Sequence, residues 1–382
     1  KRGGRSMGNM SKVQETKAQD TTLFGAGVSS AMGFVFGCAL EKGRVFAPEL
    51  IVQQMLFKKF VMLKMFLGAG ATTMVVFSAY SAFQPARKLL EDARNRWSPS
   101  NGRGVFAVAI GAGLLGVGMS LSGACPGTVA AQLGAGVPEA KYTIGGAFVA
   151  TLVYGYMAKH LEGFVSTKPI WTGHKQTLDR VLNVPYWKTG MPMALALAAV
   201  VGAVEIFVAP WATEVTTGGS DALHAKAWPP ILSGVLIGLN QLPALWALGK
   251  GIGSATGYAT CVSKTLHAVL PSESVPSYFK TLRNGMGNHF QLFYLSSAAL
   301  GAFVSASLSG QYGVERGTSP ALSFLGGACI LFGSRLAGGC TSGHGVTGMG
   351  MQFMASMVAV PCMFAGGIAT ALVLNANGVY RL

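Results

Sequence analysis

Charged side chains are scarce in this sequence. It has 14 Asp and Glu and 29 Lys and Arg in 382 residues, 11% in all, against roughly 25% in a soluble globular chain. So little charge cannot wet the surface of a water-soluble protein this long, which excludes an ordinary soluble domain. No Cys-x-x-Cys, no His/Cys metal spacing and no nucleotide-binding loop occurs, so the sequence offers no sign of a cofactor, a metal centre or direct use of ATP. No nucleic-acid motif accompanies the formal charge of +15; anionic lipid headgroups are the partner that explains it. The 53 glycines have no three-residue period, which excludes collagen, and the 51% hydrophobic fraction excludes disorder. Six cysteines, at 38, 125, 261, 329, 340 and 362, sit in or beside apolar segments and read as free thiols rather than a disulfide framework.

What is present is a series of apolar runs. A bilayer crossing needs about 20 mostly apolar residues. Nine candidates stand at roughly 22–40, 61–82, 105–122, 143–158, 191–211, 229–249, 291–308, 319–336 and 351–374. The expected fold is therefore an all-α polytopic membrane protein. With nine crossings, about twenty Lys and Arg fall on the side of the N-terminus and about eight on the other. Positive loops stay inside, so the N-terminus is expected inside and the C-terminus outside. Loops 84–104 and 159–190 carry Trp97, Trp171 and Trp187 as expected interface anchors, and 89–96 reads as a short surface helix. The polar stretch 1–21 has two readings: a solvated basic tail, or the remnant of a processed targeting segment, since the chain opens on Lys.

The chain also repeats itself. Gly118-Met-Ser-Leu-Ser-Gly123-Ala-Cys125 matches Gly333-Ser-Arg-Leu-Ala-Gly338-Gly-Cys340, and more weakly Gly33–Cys38 matches Gly234–Leu239. The match divides the chain into repeat 1 (22–158), connecting loops and a linking span (159–228), repeat 2 (229–374) and a short tail (375–382). The offset is five crossings, an odd number, so the repeats are expected to be inverted, an arrangement that places substrate sites at the repeat interface. The small, polar stretches after Cys125 and Cys340 are unsuited to lipid. They read as re-entrant loops leading into half-helices, with Pro126 in the first turn of one and Thr341 and Ser342 capping the other. Helix N-termini aimed at the midplane would favour an anion.

At Gly33–Phe46, Gln54–Phe66, Leu121–Gly127 and above all Ser334–Gly348, the chain resembles the YeeE/YedE family of sulphur-transport membrane proteins, over about residues 25–375. The resemblance implies uptake of thiosulfate, an inverted-repeat fold of nine spans, and reduced cysteines along the path, which map onto Cys38, Cys125 and Cys340. A neutral S–H is a weak donor suited to a weakly solvated sulfur, whereas a thiolate would repel a dianion. The competing reading of each is a small packing residue, and it is the favoured one for Cys261, Cys329 and Cys362.

Lys64, a cation within span two, reads either as the positive field for the anion or as a side chain snorkelling to the interface. Glu41, Lys42 and Arg44 read as an outer mouth or a paired turn. Thr341, Ser342, His344 and Arg335 flank Cys340; Ser342 and Thr341 are candidate donors, while His344 and Arg335 divide between drawing the anion inward and fixing the loop. Asn240 and Gln241 divide between amide donors and a kink. Two other functions stay open: a thiol-based sulphur-transfer enzyme, and an accessory subunit keeping the transporter fold. A soluble sulphur carrier or a membrane complex would be the protein partner. The membrane is expected to be a bacterial-type cytoplasmic one, or else an organellar inner membrane.

Overall fold

The computed structural model describes residues 4–96, 103–166 and 176–380, with side chains from Leu23 onward except at 286 and 287. Trp97, Trp171, Lys168 and Lys175 lie outside the described residues. All regular structure there is helical, apart from one isolated bridge between Thr177 and Phe353. The longer helices are α1 (Gly4–Lys42), α2 (Pro48–Met55), α3 (Val61–Ala82), α4 (Gln84–Arg96), α5 (Val105–Ser122), α6 (Thr128–Gly134) and α7 (Ala140–Val165). After them come α8 (Tyr186–Val208), α9 (Pro230–Leu248), α10 (Ala255–Val269), α11 (Met286–Leu308), α12 (Pro320–Ala337) and α13 (Met354–Ala376). A π-helical turn, Thr341–Gly348, precedes α13. Both α8 and α9 close in π-helical segments, at Val204–Val208 and Ala244–Leu248.

Among the described residues eight helices are long and apolar enough to cross a bilayer, and the protein is an integral membrane protein. Their outer faces carry Phe106, Leu195, Ile206 and Phe207 exposed, as a lipid-facing surface requires. The ninth expected span is α7, long enough at 26 residues but diluted by Lys141, Lys159 and three tyrosines. The stretch expected as a basic tail has a helical backbone from Gly4 that continues into α1. Two expectations are corrected. The segment 250–290, read as a loop, contains α10, whose polar Ser263, Lys264 and His267 interrupt the apolar run. The half-helix caps differ too. Pro126 precedes α6, which starts at Thr128, and neither Thr341 nor Ser342 caps the turn that follows Cys340.

Packing between the two halves is reciprocal. α5 lies on α12; α1 packs on α11 as α9 packs on α3; α5 holds α13 as α12 holds α7; and α6 meets α11 as the π-helical turn meets α3. A two-fold relation between the halves generates such pairs. The repeated motif supplies its contacts. A Cβ on Gly118 would stand 2.5 Å from the Gly326 carbonyl oxygen, and one on Gly333 2.5 Å from that of Gly111. Only glycine permits this backbone approach. The second glycine of each copy, Gly123 (φ +60°) and Gly338 (φ +85°), ends its helix in the left-handed region, which costs glycine nothing. Each turn delivers a cysteine two residues later. The linking helix α8 packs on α3.

Candidate functional site

A cavity of about 70 Å³ lies between the two cysteine loops. A water needs only ~10–15 Å³ by this measure, so the space suits a small anion. Its walls are chiefly Phe, Leu, Ile and Met side chains, including Met55, Met62, Met65, Met119 and Met363. Cys125, Thr128, Thr341 and Ser342 are the lining residues with polar side chains.

Each loop is held by its own hydrogen bonds. The Cys125 N–H donates to Thr128 Oγ1 at 2.6 Å, and Thr128 N–H points back at Cys125 Sγ at 3.5 Å. Gln132, fully buried, donates to the carbonyls of Phe46 (3.0 Å) and Gly123 (2.7 Å), which fixes the turn from behind. On the other side, Cys340 Sγ lies 3.2 Å from Ser342 Oγ and accepts from the Ser254 N–H at 3.5 Å. Ser254 Oγ closes the triangle at 3.1 Å from Ser342 Oγ. Tyr258 donates to the Pro126 carbonyl at 2.8 Å, so the start of α10 bridges the two loops. The Tyr294 hydroxyl is buried without a hydrogen-bond partner, and its ring packs at 5.1 Å on Phe36, a wall of the cavity.

Of the residues expected from sequence, the structure brings Cys125, Thr341 and Ser342 to the cavity and Cys340 to its edge. His344 is buried behind the loop. The Ala337 carbonyl, 3.3 Å from Nε2, can only accept, so Nε2 carries the proton and Nδ1 accepts from Ser356 at 3.0 Å. The imidazole ties the Cys340 loop to α12 and α13. Cys38 donates to the Gly301 carbonyl at 3.2 Å and does not reach the cavity wall.

Lys64 is also elsewhere. Its ammonium sits 2.8 Å from Glu205, 2.7 Å from Glu214 and 2.6 Å from the Ala209 carbonyl, so neither snorkelling nor an open positive field describes it. Lys42 pairs with Glu41 (3.5 Å), and Arg44 pairs with Glu315. Gln241 donates to Thr347 (2.8 Å) and Asn240 to the Met32 carbonyl (3.2 Å). All six cysteines are free, and Cys261, Cys329 and Cys362 lie off the cavity lining.

Sequence reasoning missed Thr128, Ser254, Tyr258 and Tyr294. The Cys-Pro-Gly-Thr run was a local signal for Thr128, since a hydroxyl three residues on can close a turn. The other three reach the site from α10 and α11, and nothing local marks them.

A family model described as sulphur transport matches residues 42–369. A probable transporter of Xylella fastidiosa strain 9a5c is 26% identical over 159 residues, 41% of this chain and 99% of the relative. A protein named thiosulfate transporter TsuA from Escherichia coli K12 is 24% identical over 271 residues, covering 68% of this chain and 72% of its own. A protein of the same name from Spirochaeta thermophila is 25% identical over 369 residues, 90% and 97% of the two chains.

Proposed function

This chain belongs to the sulphur-transport family, and from that premise we propose that it carries thiosulfate, or a closely related sulphur oxyanion, across its membrane. One observation carries the reading: an apolar cavity whose few polar side chains come from the two repeated cysteine loops. Thiosulfate has one large, weakly hydrated sulfur and three oxygens. The Cys125 thiol and the Thr341 and Ser342 hydroxyls are neutral groups that can donate to such an anion weakly enough to release it. Methionine and phenylalanine walls accept a soft, polarizable sulfur without strong solvation. Cys340, held by Ser254 and Ser342, is the next thiol beyond the cavity, and passage from Cys125 to Cys340 is the short path between the two loops. Cys38, engaged with Gly301, stands apart from that step.

We read the two loops as entering from opposite faces, with the N-terminus inside, as the charge asymmetry of the loops suggests. The thiols act by hydrogen bonding, so the substrate leaves unchanged, in contrast to a sulphur-transfer enzyme. The test is uptake of radiolabelled thiosulfate by liposomes holding the purified protein, with the internal product analysed. Saturable uptake of intact thiosulfate that a tenfold excess of sulfate barely inhibits is expected. No uptake above protein-free liposomes, or recovery of a changed sulphur species inside, would refute the proposal.

A further inference from the structure

Two arginines sit where α12 leads into the Cys340 loop, and among the described residues no carboxylate pairs with either. Arg335, on α12, directs Nη1 to the Tyr278 hydroxyl and Nη2 to Thr256 Oγ1, each at 3.4 Å. Its Nε is buried without a hydrogen-bond partner. Arg103, just before α5, donates to the Leu336 carbonyl at 2.8 Å and lies 3.5 Å from the Tyr154 hydroxyl. The two tyrosine rings touch, with centroids 5.5 Å apart, so the four side chains form one cluster. Among the described residues neither arginine makes an ion pair, although Lys42, Arg44, Lys64 and Arg94 all do.

The cluster connects directly to the cysteine loop. Thr256, which meets Arg335, is two residues from Ser254, which meets the Cys340 thiol.

A guanidinium keeps its charge in any protein environment, and both arginines are partly exposed, so each can meet an anion from outside the chain. The hydrogen bonds of 3.4–3.5 Å to hydroxyls are long and leave the Arg335 fork weakly engaged, while Arg103 is anchored by the Leu336 carbonyl. The arrangement makes sense if the balancing charge arrives from outside the chain. Arg presents a planar fork of donors that matches two oxygens of a tetrahedral oxyanion, and each phenol adds an O–H.

We infer that Arg335 and Arg103, with Tyr278, Tyr154 and Thr256, form an oxyanion station beyond Cys340. There the sulfonyl oxygens of the substrate are held while its terminal sulfur is at the Cys340 thiol. The inference rests on the transport reading above, and the station's chemistry fits either the oxygen end of thiosulfate or a free inorganic anion such as sulfate. It also supplies positive charge that the neutral cavity lining lacks.

The experiment titrates sulfate and thiosulfate against thermal unfolding of the full chain in detergent, with uptake measured in parallel. Both anions should stabilise the wild-type protein. Arg335→Gln should lose the response to both, Arg335→Lys should need about tenfold more anion because the bidentate fork is gone, and Arg103→Gln should be weakened in the same sense. Cys340→Ala should keep the sulfate response and lose only the preference for thiosulfate.

Sulfate carries no terminal sulfur, so its response tests the station whether or not thiosulfate is the cargo. A wild-type protein stabilised by sulfate but inactive in thiosulfate uptake would overturn the transport reading and leave the station standing. Equal stabilisation of wild-type, Arg335→Lys and Arg103→Gln proteins by sulfate would overturn the station, even if Arg335→Gln failed to fold.

Discussion

At the residue scale, Lys64 and the cysteines show how position in space separates residues of similar appearance. The Lys64 ammonium is fully buried between two carboxylates. Glu205 Oε1 also accepts from the Trp211 N–H at 3.0 Å, and Glu214 accepts from the Phe60 N–H. The group clamps the linking helix onto α3. Removing one member leaves a buried charge uncompensated, which costs about 3–5 kcal/mol. Lys64→Met is therefore expected to lower thermal stability sharply, and Lys64→Met with Glu205→Gln and Glu214→Gln to recover most of it. If Lys64→Met kept full stability while losing uptake, the lysine would be acting on the anion instead.

The cysteines divide by what their sulfur faces. Cys125→Ala should nearly abolish thiosulfate uptake, and Cys340→Ala should impair it about as much. Cys329→Ala and Cys362→Ala should cost little beyond packing, about 1 kcal/mol or less per lost contact group. Uptake assays at matched expression decide this, and equal rates in all four would remove the thiols from the mechanism.

At the element scale, stability rests on backbone-to-backbone contact through glycine. A Cβ on Gly116 would overlap the carbonyl oxygen of Met363, whereas one on Gly202 would meet nothing within 4 Å. Gly116→Ala should destabilise by about 1–3 kcal/mol or more, forcing α5 and α13 apart. Gly202→Ala should be neutral or stabilising by up to about 1 kcal/mol, since alanine is the better helix former. Thermal unfolding in detergent compares them directly.

A second element-scale feature lies outside the spans, where Arg94 of α4 pairs with Asp179 and sits over the Tyr186 ring. Burial pushes the Asp179 carboxyl upward, but Arg94 outweighs it and holds the group below the usual carboxylate range. Such a group contributes stability that is present above its unfolded pKa, about 4, and is lost as pH falls through the lower folded value. Hydrogen exchange in α4 should thus be flat from pH 8 to 5 once corrected for intrinsic rates, and protection should fall below about pH 4. In Asp179→Asn that acid-induced loss should be absent.

At the scale of the whole molecule, the two halves are related by reciprocal packing, with α8 as the unpaired link. If α7 crosses the membrane as its length permits, the total is odd and the termini face opposite sides. Single cysteines introduced near each end of a cysteine-free variant should then label from opposite faces with a membrane-impermeant maleimide. Labelling from one face would mean that α7 does not span.

Membrane class, helix positions and the repeat were legible in the sequence because each is written locally. A run of apolar residues must avoid water wherever the chain goes, and Gly-x-x-Leu-x-Gly-small-Cys already contains the close-packing glycine and the left-handed turn at Gly123 and Gly338. The identity of Cys125 and Cys340 as the paired loop cysteines followed from the same motif. What only the tertiary structure decided is where side chains point and what meets them. Cys38 and Phe36 are two residues apart on α1, yet Phe36 lines the cavity and Cys38 turns to Gly301, because a step of two residues rotates a helix by about 200°, a little more than half a turn. Lys64 finds its carboxylates 141 and about 150 residues away, too distant for any helical pairing rule. Ser254, Tyr258 and the Arg335–Arg103 cluster come from segments whose sequence shows only moderate hydropathy or a loop. They reach the cysteine loops because the two-fold packing of the halves brings α10, α12 and the start of α5 to one place.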